Sequence, residues 1–256
     1  MPTSVMTLLS IGSCMRSSTL HEKYFGVCRC KCTFVDVGLN DGSSLMKWWR
    51  DPALDRLSQK QSRNLHKCRS RPRENCYYGF EANPRWSTRL SLYEQRLSRD
   101  YHVKLFVGTA LSVSSTTNRT LYVEMQGAGV DASLESSKAE HYKDAKGRWH
   151  SNSQVAISDS KGFVPKTVHT MDATSFLAQI VDASDFVFVK LDIEGHEYKV
   201  LRHVIVTQPA AVCGLDILAV EWHAMPALGL PVNASETFKW LLKQREECTV
   251  ALVQWH

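Results

Sequence analysis

The chain has 256 residues, of which 43% are hydrophobic and 22% are charged, and these fractions are those of an ordinary globular protein with a sizeable core. No stretch approaches the roughly 20 consecutive apolar residues that cross a bilayer, so no transmembrane segment is predicted. The net charge of +5 is mild and does not by itself predict a nucleic-acid partner.

The first predicted strand runs from Thr33 to Val37, after an irregular lead-in at residues 1–32. A tight turn from Gly38 to Gly42 follows, and a helix is predicted directly after it. The two glycines let the backbone approach a ligand, which the amides at the helix start would face. The turn has neither the GxGxxG pattern nor the Gly-Lys-Ser/Thr ending of a P-loop. It therefore suits an uncharged or zwitterionic group, with Asp36 near a ligand ammonium.

A basic segment separates this turn from the second predicted strand. Residues 50–73 contain eight Lys or Arg residues against Asp51 and Asp55. This composition predicts a solvated, partly flexible insertion. A patch for an acidic partner, such as phosphate, nucleic acid or an anionic substrate, is the alternative. Because the segment has no Phe, Tyr or Trp, base stacking has little support.

The second predicted strand, Cys76 to Phe80, ends in Glu81. In dinucleotide-type folds, an acid at this place accepts hydrogen bonds from both ribose hydroxyls, and its charge disfavours a 2′-phosphate. Asn83 is predicted to cap the following helix, because Pro84 suits its first turn. A third strand, residues 103–107, comes after this helix.

The second half of the chain alternates strands and helices after a long polar stretch at residues 127–162. That stretch has no sustained period and is predicted to be a surface insertion, a candidate lid. The alternation predicts a parallel, doubly wound α/β sheet with helices on both faces. The predicted strands of this half are residues 167–171, 186–191, 217–220 and 248–253, and its predicted helices run over about 172–181, 194–206 and 235–246.

Several acidic residues follow the two buried strands of this half. Asp192 ends the strand at residues 186–191, and Glu221 and His223 end the next one. Residues two apart on a strand share a face, so Glu221 and His223 can point together. His223 is a candidate general base, oriented by Glu221 or Asp192; alternatively, these three residues could hold a divalent cation.

Three further polar residues lie beside these strand ends. Glu194 and Glu197 are predicted to be acids in the first turn of a helix, where they favourably meet its dipole. Lys190, in a buried strand, needs Asp36 or Asp192 as a partner.

The eight cysteines show no clear disulfide framework. Cys28, Cys30 and Cys32 alternate, which suits a strand better than a zinc site, and Cys213 is expected to be a small buried hydrophobe. The sequence therefore favours a cytoplasmic protein. The two glycosylation sequons, at Asn118 and Asn233, leave the secretory pathway open.

Four segments together resemble the FkbM-type methyltransferases, a branch of the class I S-adenosylmethionine-dependent enzymes. Residues 34–42 look like that family's glycine-rich first motif, and residues 80–84 resemble its Phe-Glu-Pro-Asn-Pro segment, with Ala82 in place of a proline. Residues 190–197 are similar to its Lys-Ile-Asp-Val-Glu-Gly-Ala-Glu motif, with His196 in place of the alanine and expected to face solvent. Residues 221–223 match its late Glu-x-His.

The resemblance implies a Rossmann-like class I methyltransferase fold, with the domain at residues 33–256 and insertions near 50–75 and 127–162. It implies S-adenosylmethionine as cofactor and O-methylation of a small molecule or glycan hydroxyl, with no metal ligand assigned and nucleic acid not expected. The alternative is an inactive methyltransferase-fold scaffold that uses its basic insertion. The catalytic candidates are Asp192, Glu221 and His223, and the cofactor-binding candidates are Asp36, Gly38, Asn40, Asp41, Gly42, Glu81 and Asn83.

Overall fold

The structure is a computed structural model that describes residues 19–45, 54, 57–124, 163–223, 234–245 and 248–255, with three short strands at 132–133, 141–143 and 149–151. Its strands are β1 Thr33–Val37, β2 Cys76–Glu81, β3 His102–Val107, β4 Thr109–Ser112, β5 Thr116–Glu124, β6 Ala132–Ser133, β7 His141–Lys143, β8 Trp149–Ser151, β9 Phe163–Asp172, β10 Val187–Leu191, β11 Ile217–Val220 and β12 Ala251–Gln254. Its α-helices are α1 Leu20–Phe25, α2 Gln59–Ser70, α3 Ser87–Leu97, α4 Ala173–Asp182, α5 Glu197–Thr207, α6 Pro209–Cys213 and α7 Ala234–Lys243.

The main sheet is six-stranded and parallel in all its described pairs, with the order β12-β11-β10-β1-β2-β3. The chain builds outward from β1 in both directions, so the strand order reverses between β1 and β10. Open parallel sheets bind ligands beyond the carboxyl ends of their strands at such a reversal. A smaller sheet with the order β4-β9-β5-β6 and a β7-β8 pair complete the described strands.

The central strands are buried along their whole length because helices cover both faces of the sheet. Neighbouring residues of a strand point to opposite faces. In β1, Val35 belongs to the core cluster that includes Phe176 of α4, whereas Phe34 belongs to the cluster that includes Leu65 of α2 and Leu90 of α3. The predicted doubly wound α/β fold is confirmed.

Helix α2 occupies the basic segment, where the sequence did not predict a helix. Ser58 starts it with a capping box, and Leu65 and Cys68 bury its inner side. The Gln61 side-chain amide donates to the Asp216 carbonyl, just before β11, and Cys68 is disulfide-bonded to Cys32, just before β1. The helix therefore runs across the amino-terminal edge of the sheet, away from the carboxyl ends of the strands.

The cysteine prediction was wrong. Disulfides join Cys30 to Cys76, Cys32 to Cys68 and Cys213 to Cys248, and no described cysteine is free. The partners lie 35 to 46 residues apart, and they meet only because β1 and β2 begin side by side and α6 lies near the segment that precedes β12. In a loop-entropy account, closing loops of this length stabilises the fold by about 4 kcal/mol each.

Three predicted helix starts differ from the structure: the helix predicted from Pro84 begins as a 3-10 turn at Pro84–Trp86, and α3 starts at Ser87. The helix predicted from residue 194 begins at Glu197, because Glu194 and Gly195 adopt positive φ angles of 57° and 97°. The last helix begins at Ala234, one residue before its predicted start. Most of the helix predicted after Gly42, and most of residues 127–162, lie outside the described residues. No described helix is long and apolar enough to cross a membrane.

Candidate active site

The glycine turn after β1 packs directly against the chain after β10. Gly38 has a φ angle of 88°, and a Cβ atom at this position would collide with the backbone carbonyl of Asp192. Asp192 N–H donates to the Val37 carbonyl at 2.9 Å, which holds these two segments together, and Gly38 N–H donates to the Phe80 carbonyl of β2 at 3.1 Å. Only glycine fits this contact, which joins the first three motif segments.

Glu81 links the end of β2 to the same turn. Its two carboxylate oxygens accept hydrogen bonds from the Asn40 and Asn83 backbone N–H groups, each at 2.6 Å. Burial raises the pKa of Glu81 to about 7, although both hydrogen bonds favour the ionised form. Each carboxylate oxygen can accept a second hydrogen bond, so Glu81 can still receive a ligand hydroxyl.

A cavity lies over the carboxyl edge of the sheet, where open parallel sheets bind their ligands. The Asn40 side-chain oxygen is buried here and has no hydrogen-bond partner among the described residues. The expected cofactor residues that line the cavity are Gly38, Asn40, Glu81 and Asn83, and the catalytic candidate Asp192 lines it too.

The other expected cofactor residues lie outside this lining. Asp41 lines an adjoining cavity that shares Gly38, Asn40 and Asp192 with the first. Gly42, with a φ angle of 84°, packs against Leu90 of α3.

Asp36 lies beneath the turn and belongs to a buried ion cluster. Lys190 Nζ lies 3.3 Å from Asp36 Oδ1 and 3.1 Å from Asp192 Oδ2, and Ser44 Oγ donates to Asp36 Oδ2 at 2.6 Å. Burial lowers the pKa of Lys190, but the two carboxylates outweigh burial and raise it above its usual value. Lys190 thus forms ion pairs with both Asp36 and Asp192, which the sequence offered as alternative partners. This ion cluster lies beneath the turn and supports it.

His223 is surrounded by carboxylates. Its Nδ1 is 2.9 Å from Glu197 Oε1, while its Nε2 lies 3.6 Å from Glu194 and 3.9 Å from both Asp192 and Glu221. Burial lowers the pKa of His223, but the hydrogen bond to Glu197 and the charges of Glu197, Glu194 and Asp192 raise it to about 9. Burial and the charge of Asp192 raise the pKa of Glu221. The structure therefore brings the three catalytic candidates together.

Glu197 has a larger part in this site than the sequence indicated. Its side chain is fully buried, and besides His223 it accepts hydrogen bonds from the Ile193 and Gly195 backbone N–H groups, both at 2.8 Å. It thereby fixes both the turn after β10 and one ring nitrogen of His223. The only sequence signal was its place at the end of the third motif, which equally fits an acid in the first turn of a helix.

His196 and Trp86 were also missed by the sequence reasoning. The expectation that His196 faces solvent was wrong: it is 1% exposed, lines the cavity, and its Nε2 lies 3.3 Å from Ser112 Oγ. Trp86, expected only as part of a helix, lines both cavities.

Asp192, Glu194 and His223 each offer a ligand atom within 4.8 Å of the others, an arrangement that could hold a metal ion. Carboxylate groups of this kind are common in proteins that bind no ion, so this cluster does not by itself assign a metal.

A family model for the methyltransferase FkbM domain matches residues 36–246 of the chain. This range includes the four motif segments except residues 34 and 35 of the first, and it covers most of the main sheet. No curated protein and no solved structure gives a significant match.

Proposed function

Because the chain belongs to the FkbM methyltransferase family, we propose that it uses S-adenosylmethionine to methylate a hydroxyl oxygen of a small molecule or glycan. The observation that carries the proposal is the cavity over the carboxyl edge, where the Gly38 turn, Glu81 and Asp192 line one space beside His223. Methyl transfer depends chiefly on holding an acceptor oxygen close to the methyl group and in line with it. A single cavity bounded by these groups suits that requirement.

The residues of the cavity fit this cofactor. Gly38 lets the turn pack against Asp192 so that both line the cavity, and the buried Asn40 oxygen, which has no hydrogen-bond partner in the described part of the chain, offers an acceptor to a ligand donor. Glu81 would accept the ribose hydroxyls, and Asn83 would hold Glu81 in place through its backbone N–H. When bound, S-adenosylmethionine supplies a methyl group attached to a positively charged sulfur.

His223 would accept the proton of the acceptor hydroxyl through Nε2, the ring nitrogen that faces Asp192, Glu194 and Glu221. Glu197 would fix the ring by its hydrogen bond to Nδ1. Because the pKa of His223 is about 9, the ring holds a proton at neutral pH in the free protein. Only the neutral ring can act as a base, so this role requires kcat/KM to rise as pH increases towards 9.

A disulfide-permissive compartment is part of the proposal. Three cysteine pairs join the segments before β1, β2 and β12 to the rest of the fold, and such bonds persist in oxidising compartments and are rare in the cytosol. This location takes the place of the cytoplasmic one expected from the sequence. Thiol titration of the protein isolated under alkylating conditions tests it, and a protein with free thiols at these cysteines would refute it.

Calorimetric titration with S-adenosylmethionine and its demethylated product tests the cofactor assignment. We expect both to bind, and we expect Glu81→Ala to weaken binding about 100-fold, because two hydrogen bonds to a charged group are lost. Glu236→Ala, which removes an exposed acid on α7, is the matched control. Absence of binding by the folded parent protein would refute the proposed function.

A further inference from the structure

The exposed side of α2 and the turn after it carry a row of cations at the amino-terminal edge of the sheet. Lys and Arg occupy positions 60, 63, 67, 69, 71 and 73, and no Asp or Glu occurs from residue 57 to residue 73. The charge of this segment exceeds the net charge of +5 of the whole chain. The excess positive charge of the protein is therefore concentrated at one place, which we call the basic track.

The helix periodicity separates the basic track from the core-facing side. Lys60, Arg63 and Lys67 are spaced i, i+3, i+7 and are exposed, whereas Leu65 and Cys68 are buried. Arg71 and Arg73 continue the track beyond the helix, with side chains 62% and 81% exposed. Arg71 pairs with Glu74 at 3.6 Å and Arg73 pairs with Asp100 at 3.8 Å, but ion pairs on the surface contribute little, so both cations stay available to a partner.

The track is remote from the catalytic cavity. Its helix is anchored at Asp216 and Cys32, which precede β11 and β1, whereas the cavity lies beyond the carboxyl ends of the strands. A five-residue strand spans about 16 Å, so one ligand of ordinary size does not reach both places. The track is thus a separate surface rather than a part of the acceptor site.

We propose that the basic track docks an acidic polysaccharide, a chain that carries sulfate or carboxylate groups. Charge complementarity points to a polyanion, and the cations follow a line about 10 Å long on α2 that the turn extends. Two other polyanions fit less well. Residues 57–73 contain no Phe, Tyr or Trp to stack on bases. None of the exposed large hydrophobic residues in the described chain, Leu92, Val206 and Trp240, lies on the track to anchor it in a bilayer.

The Cys32–Cys68 disulfide gives an independent argument for this partner. It fastens the cation-bearing helix to the segment before β1, and both of its cysteines are buried. A helix held by a disulfide belongs to a protein that works in an oxidising compartment. Polysaccharide acids are available in such compartments, whereas nucleic acids are found chiefly outside them. The proposal does not depend on the methyltransferase activity, so it can fail while that activity stands.

Binding to immobilised dextran sulfate at 0.15 M salt tests the proposal on the full chain. The track variant Lys60→Gln, Arg63→Gln and Lys67→Gln is compared with a control variant that removes the same charge elsewhere, at the exposed residues Lys166, Lys199 and Arg202. We expect the track variant to bind about 100-fold more weakly, from about fivefold per lost cation. The control should change binding less than about twofold, because charges beyond a Debye length are screened.

Three results would overturn the proposal: no binding by the parent protein, equal losses in the two variants, or tighter binding to anionic phospholipid vesicles or single-stranded RNA than to dextran sulfate. The last result would assign the track to that other polyanion. Thermal unfolding and thiol counting of each variant establish that the fold and the disulfides are intact. Because all six substituted side chains are exposed, we expect both measurements to match the parent protein.

Discussion

Replacing Glu197 by glutamine tests whether this buried carboxylate sets the protonation of His223. The substitution keeps the side-chain size and removes the negative charge 2.9 Å from His223 Nδ1. The pKa of His223, about 9 against the usual 6.5, corresponds to about 3 kcal/mol of net favourable interaction with the protonated ring. The hydrogen bond and the charge of Glu197 are the two leading causes that raise it. We therefore expect Glu197→Gln to move the pKa towards 6.5, with proton affinity at least about tenfold lower.

The assay is an NMR titration of the His223 ring in the parent protein and the variant, with a chelator present in both. If His223 is the base, the rise of kcat/KM with pH should move to lower pH in the variant, because the ring loses its proton at lower pH. Glu221→Gln is the matched control: it removes a carboxylate 3.9 Å from Nε2 and should lower the pKa less. An unchanged His223 titration in Glu197→Gln, or equal changes in both variants, would refute the reasoning.

Gly38→Ala should lower the free energy of unfolding by about 3 to 5 kcal/mol, because the left-handed backbone and the collision with Asp192 add together. The control in urea unfolding is Gly108→Ala, which should lower the free energy of unfolding by only about 1 to 2 kcal/mol. The φ angle of Gly108 is also positive, at 66°, but a Cβ added there would meet no atom within 4 Å. Equal losses in the two variants would contradict the prediction. Burial lowers the pKa of His21 to about 4, so this residue contributes stability above pH 6.5 that is lost as pH falls to 4, up to about 3 kcal/mol. Compared with the parent protein, His21→Gln should be less sensitive to acid in that window, and an unchanged slope would count against the buried neutral ring. Burial raises the pKa of Glu81 to about 7, so the free energy of unfolding should fall as pH rises from 4.5 to 7. Unfolding measured between these pH values should show no such fall in Glu81→Ala. A fall that persists in the variant would show that another group causes it.

The strands of the main sheet could be predicted from the sequence because their signals are local. Residues 33–37 and 217–220 form strands with the predicted bounds, since a short apolar run between turn residues suits a strand buried on both faces. The Gly38 turn and Glu81 follow directly from their place at strand ends. Because the strands are parallel, their carboxyl ends all lie at the same edge of the sheet. The motif residues that follow these ends therefore indicated the position of the cavity.

Other features depended on which elements become neighbours. The sequence misjudged Glu197 because its carboxylate acquires a second role only when β10 and β11 pair and bring His223 next to it. His196 was expected at the surface because nothing in the chain near it shows that β4 will cover it with Ser112. Helix α2 was missed because its core-facing stripe is short and most of its residues are charged or polar.

By itself, the sequence determined the fold class, the positions of most strands of the main sheet and the edge at which the motif segments meet, because period, turn residues and chain order are properties of neighbouring residues. Only the tertiary structure decided which cysteines pair, which acid holds His223 and where the basic segment lies. Each of these is a contact between residues distant in the sequence, set by strand order and register. A local sequence pattern does not show which distant residues come close together. In this protein, such contacts place Glu197 beside His223 and so raise the pKa of the candidate base, and they hold the basic track at the edge of the sheet opposite the cavity.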